Sequence, residues 1–310
     1  MNIINYANLL IVSLLTTFLY SLYIKCFKKV TQTERALGLD SHKIKNGTIT
    51  MGGIIFILVP LFFINYDKQL LMIIVGTIGY GILGLIDDLL IIVFKNNKGI
   101  SPLMKIFFQI IISGIVFYFY INVSHKTNLN ILGINFNIKW LYGMLIMWIL
   151  VSSTNAWNLL DGIDGLCSVC SLIFGIGLGI IAYKQKEYSL VYMMIIFHIS
   201  IFIFWCFNLP KAFLFMGNVG SLALGAFYAC ISIYLNSMSS FIVMALLFIF
   251  EALSVILQVI YYKKTKGKRL FKMAPFHHHL EKSGFKEIHV DLLFYLIQII
   301  LVILVIIFNI

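Results

Sequence analysis

Acidic residues are scarce in this chain: 12 among 310, against 23 Lys and Arg. Charged residues of both signs make up 11%, whereas 61% of the chain is hydrophobic and the mean hydropathy is +0.99. A soluble domain is a little under half apolar, so this balance excludes a soluble fold and identifies a polytopic membrane protein. No Lys or Arg precedes Lys25, and the first apolar run has no small-residue cleavage site. That absence argues against a cleaved signal peptide and for a retained helix. Cysteine is also sparse. Cys26, Cys167, Cys170, Cys206 and Cys230 fall mostly inside apolar runs, so the Cys167-x-x-Cys170 spacing reads as small packing residues rather than a redox or zinc site.

What is there is a series of long apolar stretches. A helix needs about 20 such residues to cross the hydrocarbon, and about ten runs qualify, near 4–24, 51–66, 70–90, 104–122, 140–157, 166–183, 188–208, 219–236, 241–262 and 290–309. The expected fold is all-α, a single integral membrane domain over 1–310. Positive residues near helix ends stay on the cytoplasmic side. With both termini extracytoplasmic, the inside loops hold Lys25, Lys28, Lys29, Arg35, Lys43, Lys45, Lys95, Lys98, Lys105, Lys211 and eight residues from Lys263 to Lys286. Only Lys68, Lys126, Lys139, Lys184 and Lys186 then face out. The net charge of +11 therefore describes the cytoplasmic face, which would attract anionic lipid and phosphorylated ligands. Nucleic acid is not the expected partner, because these basic loops carry few interleaved aromatics.

This orientation gathers the unusual polar segments on one side. Asp87 and Asp88 end a long apolar run, where two adjacent carboxylates lose hydration and repel each other unless a cation or a reaction needs them. On the same side lie Ser41 to Gly53, Asn155 to Gly165, Phe215 to Ser221, and a basic loop ending in His277, His278 and His279. The outer loops have no cluster of acids, histidines or glycines. A site built from several cytoplasmic loops follows.

Asn155 to Gly165 places Asp161 and Asp164, and likewise Asn155 and Asn158, at i, i+3 on a helix end. A capped terminus with an Asx turn reads the same way. Acidic, oxygen-rich clusters suit Mg²⁺, which keeps several waters and takes one or two carboxylates plus substrate phosphates. Glycines at 52, 53, 217 and 220 could present backbone N–H groups to phosphate, or simply end helices. Three consecutive histidines cannot converge on one metal from a regular helix, so phosphate contact or a solvated loop fits better than zinc. Glu251 and Gln258 share one face of an apolar run, in either a structural hydrogen bond or a catalytic role; His198 reads as a core residue.

Taken together, Thr48 to Gly53, Gly84 to Asp88, Asn155 to Leu166, Phe215-Met216-Gly217 with Gly220-Ser221-Leu222, and Met273-Ala274-Pro275-Phe276-His277-His278-His279 resemble the phospho-N-acetylmuramoyl-pentapeptide transferases. These belong to the polyprenyl-phosphate hexosamine-1-phosphate transferases, and the resemblance covers nearly the whole chain. It implies Mg²⁺-dependent transfer of phospho-N-acetylmuramoyl-pentapeptide from its UDP conjugate to undecaprenyl phosphate in the bacterial plasma membrane, giving lipid I and UMP. It further implies Asp87 as general base or nucleophile, and Asp88 with Asn218 at the metal. Lys45, Thr50, Lys98, Lys105, Asn155, Asn158, Asp161, Asp164, Phe215, His277, His278 and His279 would contact substrate. Oligomeric state stays open between monomer and homodimer.

Two positions depart from the family pattern. Asn218 stands where the family has an Asp that binds Mg²⁺, and Ile91 where it usually has a Lys; Lys95 or Lys98 would replace that amine. Ile49 in place of Pro and the lack of Arg-Phe-Trp near Leu292 are milder. Other readings are a low-activity variant that binds nucleotide sugar or prenyl phosphate, a transferase for another UDP-hexosamine, and a transporter. A transporter would carry its acids near the bilayer midplane, not at the edge.

Overall fold

The computed structural model describes residues 3–27, 30–31, 47–64, 67–94, 99–124, 127–131 and 134–308, and they are overwhelmingly helical. Helix α1 is Ile3–Cys26, α2 Gly53–Leu61, α3 Leu71–Phe94, α4 Pro102–Ser124, α5 Leu141–Leu160 and α6 Leu166–Lys184. Helix α7 is Tyr188–Phe207, α8 Gly217–Tyr234, α9 Met238–Met244, α10 Leu246–Lys264, α11 Phe276–Lys282 and α12 Glu287–Phe308. Between α4 and α5 lies the one pair of strands among the described residues, an antiparallel hairpin of β1 (Asn128–Ile131) and β2 (Ile134–Asn137) with Asn128 opposite Asn137.

Nine described helices are long and apolar enough to cross a membrane, rather than about ten. Among its described residues the expected span 51–66 is helical only over α2, about 14 Å at 1.5 Å per residue, a helix too short to cross by itself. It ends one residue past Pro60, whose missing N–H weakens the i→i−4 ladder, and Phe62 N–H bonds instead to Val59 O three residues back. The chain still traverses the fold here. Gly53 N–H donates to Met216 O, beside the start of α8, while Gln69 Oε1 accepts from Tyr234 at its end. The expected span 241–262 is likewise broken at Ala245, into α9 and α10.

Helix α8 is the axis of the fold because its sequence, rich in Gly, Ala and Ser, lets neighbours come close. Every residue from Val219 to Ile233 is buried. Lipid tails are as apolar as Leu, so helices associate in membranes through close packing of small residues. Gly84 of α3 lies on the backbone of Asn218 and Val219, where any Cβ would collide with both, and Gly225 lies likewise on Thr154 of α5. Trp157 stacks on Phe248 at 3.7 Å between ring centroids and donates to Ser171 Oγ at 2.9 Å. Cys167 and Cys170 are buried free thiols in this region. Leu14, Phe18, Phe107 and Leu296 face outward, as a lipid-facing surface requires.

The first described turn of α1 and the last of α12 lie on the face away from Asp87 and Asp88. Near the start of α1, Asn8 bonds Tyr192 one turn into α7, and Glu187 just before α7 accepts from Tyr234 at the far end of α8. On α12, Tyr295 lies by Gly165, and the helix runs on to Phe308, about 20 Å further.

Candidate active site

The site is where α3, the N-terminus of α8, the end of α5 and the start of α4 meet. Asp87 and Asp88 are both buried in the last turns of α3 but do different work. Asp88 accepts the N–H groups of Asn218 at 3.1 Å and Val219 at 3.0 Å, one on each carboxylate oxygen. These are first-turn donors of α8 with no intrahelical partner, so a carboxylate from a neighbouring helix does the capping. The geometry depends on Gly217, whose φ of +74° lets the chain turn beside the Asp88 carboxylate.

Asp87 is held instead by two side chains and one backbone N–H. Lys105 Nζ lies 3.0 Å from Oδ2, the Ile100 N–H donates to Oδ1 at 2.7 Å, and Asn218 Nδ2 donates to Oδ2 at 3.1 Å. Asn218 Oδ1 in turn accepts from Asn158 Nδ2 at 2.7 Å, which also reaches Ser221 Oγ at 2.8 Å. A polar chain thus runs from Lys105 through Asp87 and Asn218 to the end of α5.

The surrounding loops close on this chain. Ile49 pairs with Thr31 on one side and Leu214 on the other; Phe215 N–H donates to Ile49 O, and Gly52 N–H donates to Phe215 O. Phe215 is thereby set in the site wall through its backbone, and Thr50 lies buried beside Gly217. Asp161 caps the end of α5, outside the membrane-spanning helices. Burial, then the charges of Asp88 and Asp164, push its carboxyl up to about 8. Asp164 is buried and accepts the Ala212 N–H at 3.1 Å.

The three histidines diverge. His277 and His278 both set Nε2 against Gly162, whereas His279 accepts the Lys272 N–H at Nδ1 and packs on Phe271 and Phe276. Asn155 is held by Gln109 Oε1 at 2.9 Å and Val151 O at 2.7 Å. Gln109 was not anticipated, although a Gln inside an apolar helix four residues after Lys105 is a readable signal. Ser221 also enters the network, through Asn158. Lys45, Lys95 and Lys98 lie outside the described residues. Among the described residues no three His, Cys, Asp or Glu side chains cluster tightly enough for a metal on their own. An apolar groove of about 880 Å³ lies elsewhere, between α1, α6 and α7, away from these polar groups.

Residues 70–236 match the model of glycosyl transferase family 4, a stretch that holds both aspartates, Asn155 to Asp164 and Asn218. The chain is 38% identical over 306 residues to the phospho-N-acetylmuramoyl-pentapeptide-transferase of Staphylococcus epidermidis, covering 94% of this chain and 95% of that one. It is 39% identical over 275 residues to the protein of that name from Streptococcus agalactiae, covering 83% and 82%, and 37% identical over 283 residues to that of Enterococcus hirae, covering 88% of each. Similarity at this level along the whole length, with the site residues inside it, places the chain in the phospho-N-acetylmuramoyl-pentapeptide-transferase family.

Proposed function

We propose that the chain transfers phospho-N-acetylmuramoyl-pentapeptide from its UDP conjugate to undecaprenyl phosphate in the bacterial plasma membrane. A phosphate oxygen of the lipid forms the new bond to the sugar-bearing phosphorus, the bridge between the two phosphates breaks, and UMP leaves. The observation that carries this reading is the Lys105–Asp87–Asn218 chain at the end of α3, beside the glycine-rich start of α8. Phosphoryl transfer rests mainly on positioning and on stabilising spread negative charge. Lys105 and the loops supply positive charge; Asp87 supplies a carboxylate held by three donors and able to take the lipid phosphate's proton. Asp88 keeps α8 in place behind it.

The site face is taken as cytoplasmic, where nucleotide sugars are found. The support is the charge pattern: Lys105, Lys211 and the basic loop after α10 share the site face, and the first described turn of α1 and the last of α12 lie on the other. The lipid phosphate then enters sideways from the bilayer.

The donor atoms suit Mg²⁺. Asp88 and the Asn218 side-chain oxygen would be hard ligands, and the sparse protein set leaves room for water and substrate phosphates to complete the shell. The Asp88 oxygens keep lone pairs beyond those used in capping. When bound, Mg²⁺ would neutralise charge on the diphosphate. Asn218 would offer the ion a neutral oxygen already engaged by Asn158, so Mg²⁺ affinity would be lower than an aspartate there would give.

The test is UMP release from UDP-MurNAc-pentapeptide and undecaprenyl phosphate in detergent, with and without Mg²⁺. Release that requires both substrates is expected. Hydrolysis of the donor without the lipid, or no release at all, would remove this reading.

A further inference from the structure

Helix α10 buries a carboxylate, Glu251, that the reaction outlined above does not use. Its side chain has no exposure to solvent, and both oxygens go to one residue. Oε1 accepts the His277 N–H at 3.1 Å, and Oε2 lies 3.1 Å from His277 Nδ1. The imidazole is equally buried, and its Nε2 has no hydrogen-bond partner. That nitrogen lies against Gly162, in the turn between Asp161 and Asp164, so closely that a Cβ on Gly162 would collide with it. His278 repeats the pattern, with Nδ1 at 2.7 Å from Glu281 Oε2 and Nε2 beside the same glycine.

An unpaired polar atom with no access to water is costly, and native structures keep few of them. A neutral imidazole carries one N–H, and a carboxylate can only accept, so Glu251 requires the proton on Nδ1. Nε2 is then the ring atom left for a ligand, and a second proton on the ring would arrive there. In either state the ring is fixed at one orientation by a residue that reaches no other part of the site.

From this geometry we infer that Glu251 is a positioning residue for donor binding: it fixes His277 so that Nε2 meets the UDP-sugar at the Gly162 turn, accepting from a hydroxyl when the ring is neutral and donating to a phosphate oxygen when the ring carries a second proton. The inference rests on the proposed transfer reaction for its substrate. Gln258, on the same face of α10, only ties down the loop, through the N–H groups of Leu270 and Phe271 and the Phe271 carbonyl.

The experiment compares Glu251→Gln, His277→Asn and the double variant in the transfer assay, with ¹⁵N spectra of the histidines. Gln keeps the volume of Glu but puts an NH2 where one of the two oxygens stands, so one His277 N–H then faces a donor. Glu251→Gln is expected to raise the KM for the UDP donor by about 10-fold, the cost of one mispaired buried polar group, with kcat and the undecaprenyl phosphate KM little changed. In the His277→Asn background the same change should add nothing. The wild-type spectrum should show His277 protonated at Nδ1, with Nε2 shifting when the donor is added. Additive losses in the double variant, or an Nε2 signal indifferent to donor, would overturn the inference. The spectrum decides even where Glu251→Gln does not fold. A wild type that binds donor through Nε2 but releases no UMP would sink the transfer reading and leave the Glu251–His277 pair standing.

Discussion

Asn218 and Asp87 are one hydrogen bond apart: the amide Nδ2 donates to Asp87 Oδ2 at 3.1 Å. The amide at 218 thus bridges two side chains, donating to Asp87 and accepting from Asn158. A carboxylate at 218 could not donate to Asp87 and would face it with like charge.

Asn218→Asp is therefore expected to raise Mg²⁺ affinity and to lower the metal-free unfolding temperature, the lost hydrogen bond alone costing about 1–3 kcal/mol. Thermal unfolding with and without Mg²⁺ measures both. A variant as stable as wild type without metal, with an unchanged Mg²⁺ titration, would mean that residue 218 does not face the ion.

Asp87→Asn should abolish turnover while nucleotide binding persists, because the amide keeps the shape but cannot take a proton. Calorimetric UMP binding beside the turnover assay separates the two. Substantial turnover in the variant would remove Asp87 from the role of base.

Asp88→Ala tests a different function at the adjacent position. Removing the acceptor of two N–H groups at the start of α8 should cost about 2 kcal/mol of stability, with or without ligands. An unchanged unfolding temperature would show that α8 does not depend on this cap.

Asp161 makes stability depend on pH. Its carboxyl is pushed up to about 8 in the folded protein, so between about 4 and 8 the folded state holds a proton that the unfolded chain has released. Stability is therefore expected to fall as pH rises through that window. Asp161→Asn should flatten the dependence in metal-free protein, as read from unfolding temperatures between pH 5 and 8.5. Identical slopes in the two proteins would place the titration elsewhere.

Much of this was legible in the sequence because membrane burial leaves few polar residues, and those few stand out. The acids of α3, the Asn155 to Gly165 segment and Phe215 to Ser221 do meet in space. The helix breaks were not readable. Hydropathy over 51–66 stays high although the helix stops after Leu61, because apolar side chains do not report backbone hydrogen bonding. The same holds for the break at Ala245. Short strands such as β1 and β2 carry too little periodicity to be seen. Pairings across helices were also hidden. Glu251 and Gln258 look alike on one face of α10, yet Glu251 meets His277 from 26 residues away while Gln258 fastens the loop after α10. Asp88 could be read as a metal ligand, but its use as a cap for a helix 130 residues downstream emerges only from the fold.

The most direct measurement is UMP release, matched to lipid I formation, by the unmodified chain and by Asp87→Asn at saturating Mg²⁺ with both substrates. The account predicts equal amounts of the two products from the unmodified chain and none from the variant. No release from the unmodified chain, or release undiminished in the variant, would contradict it.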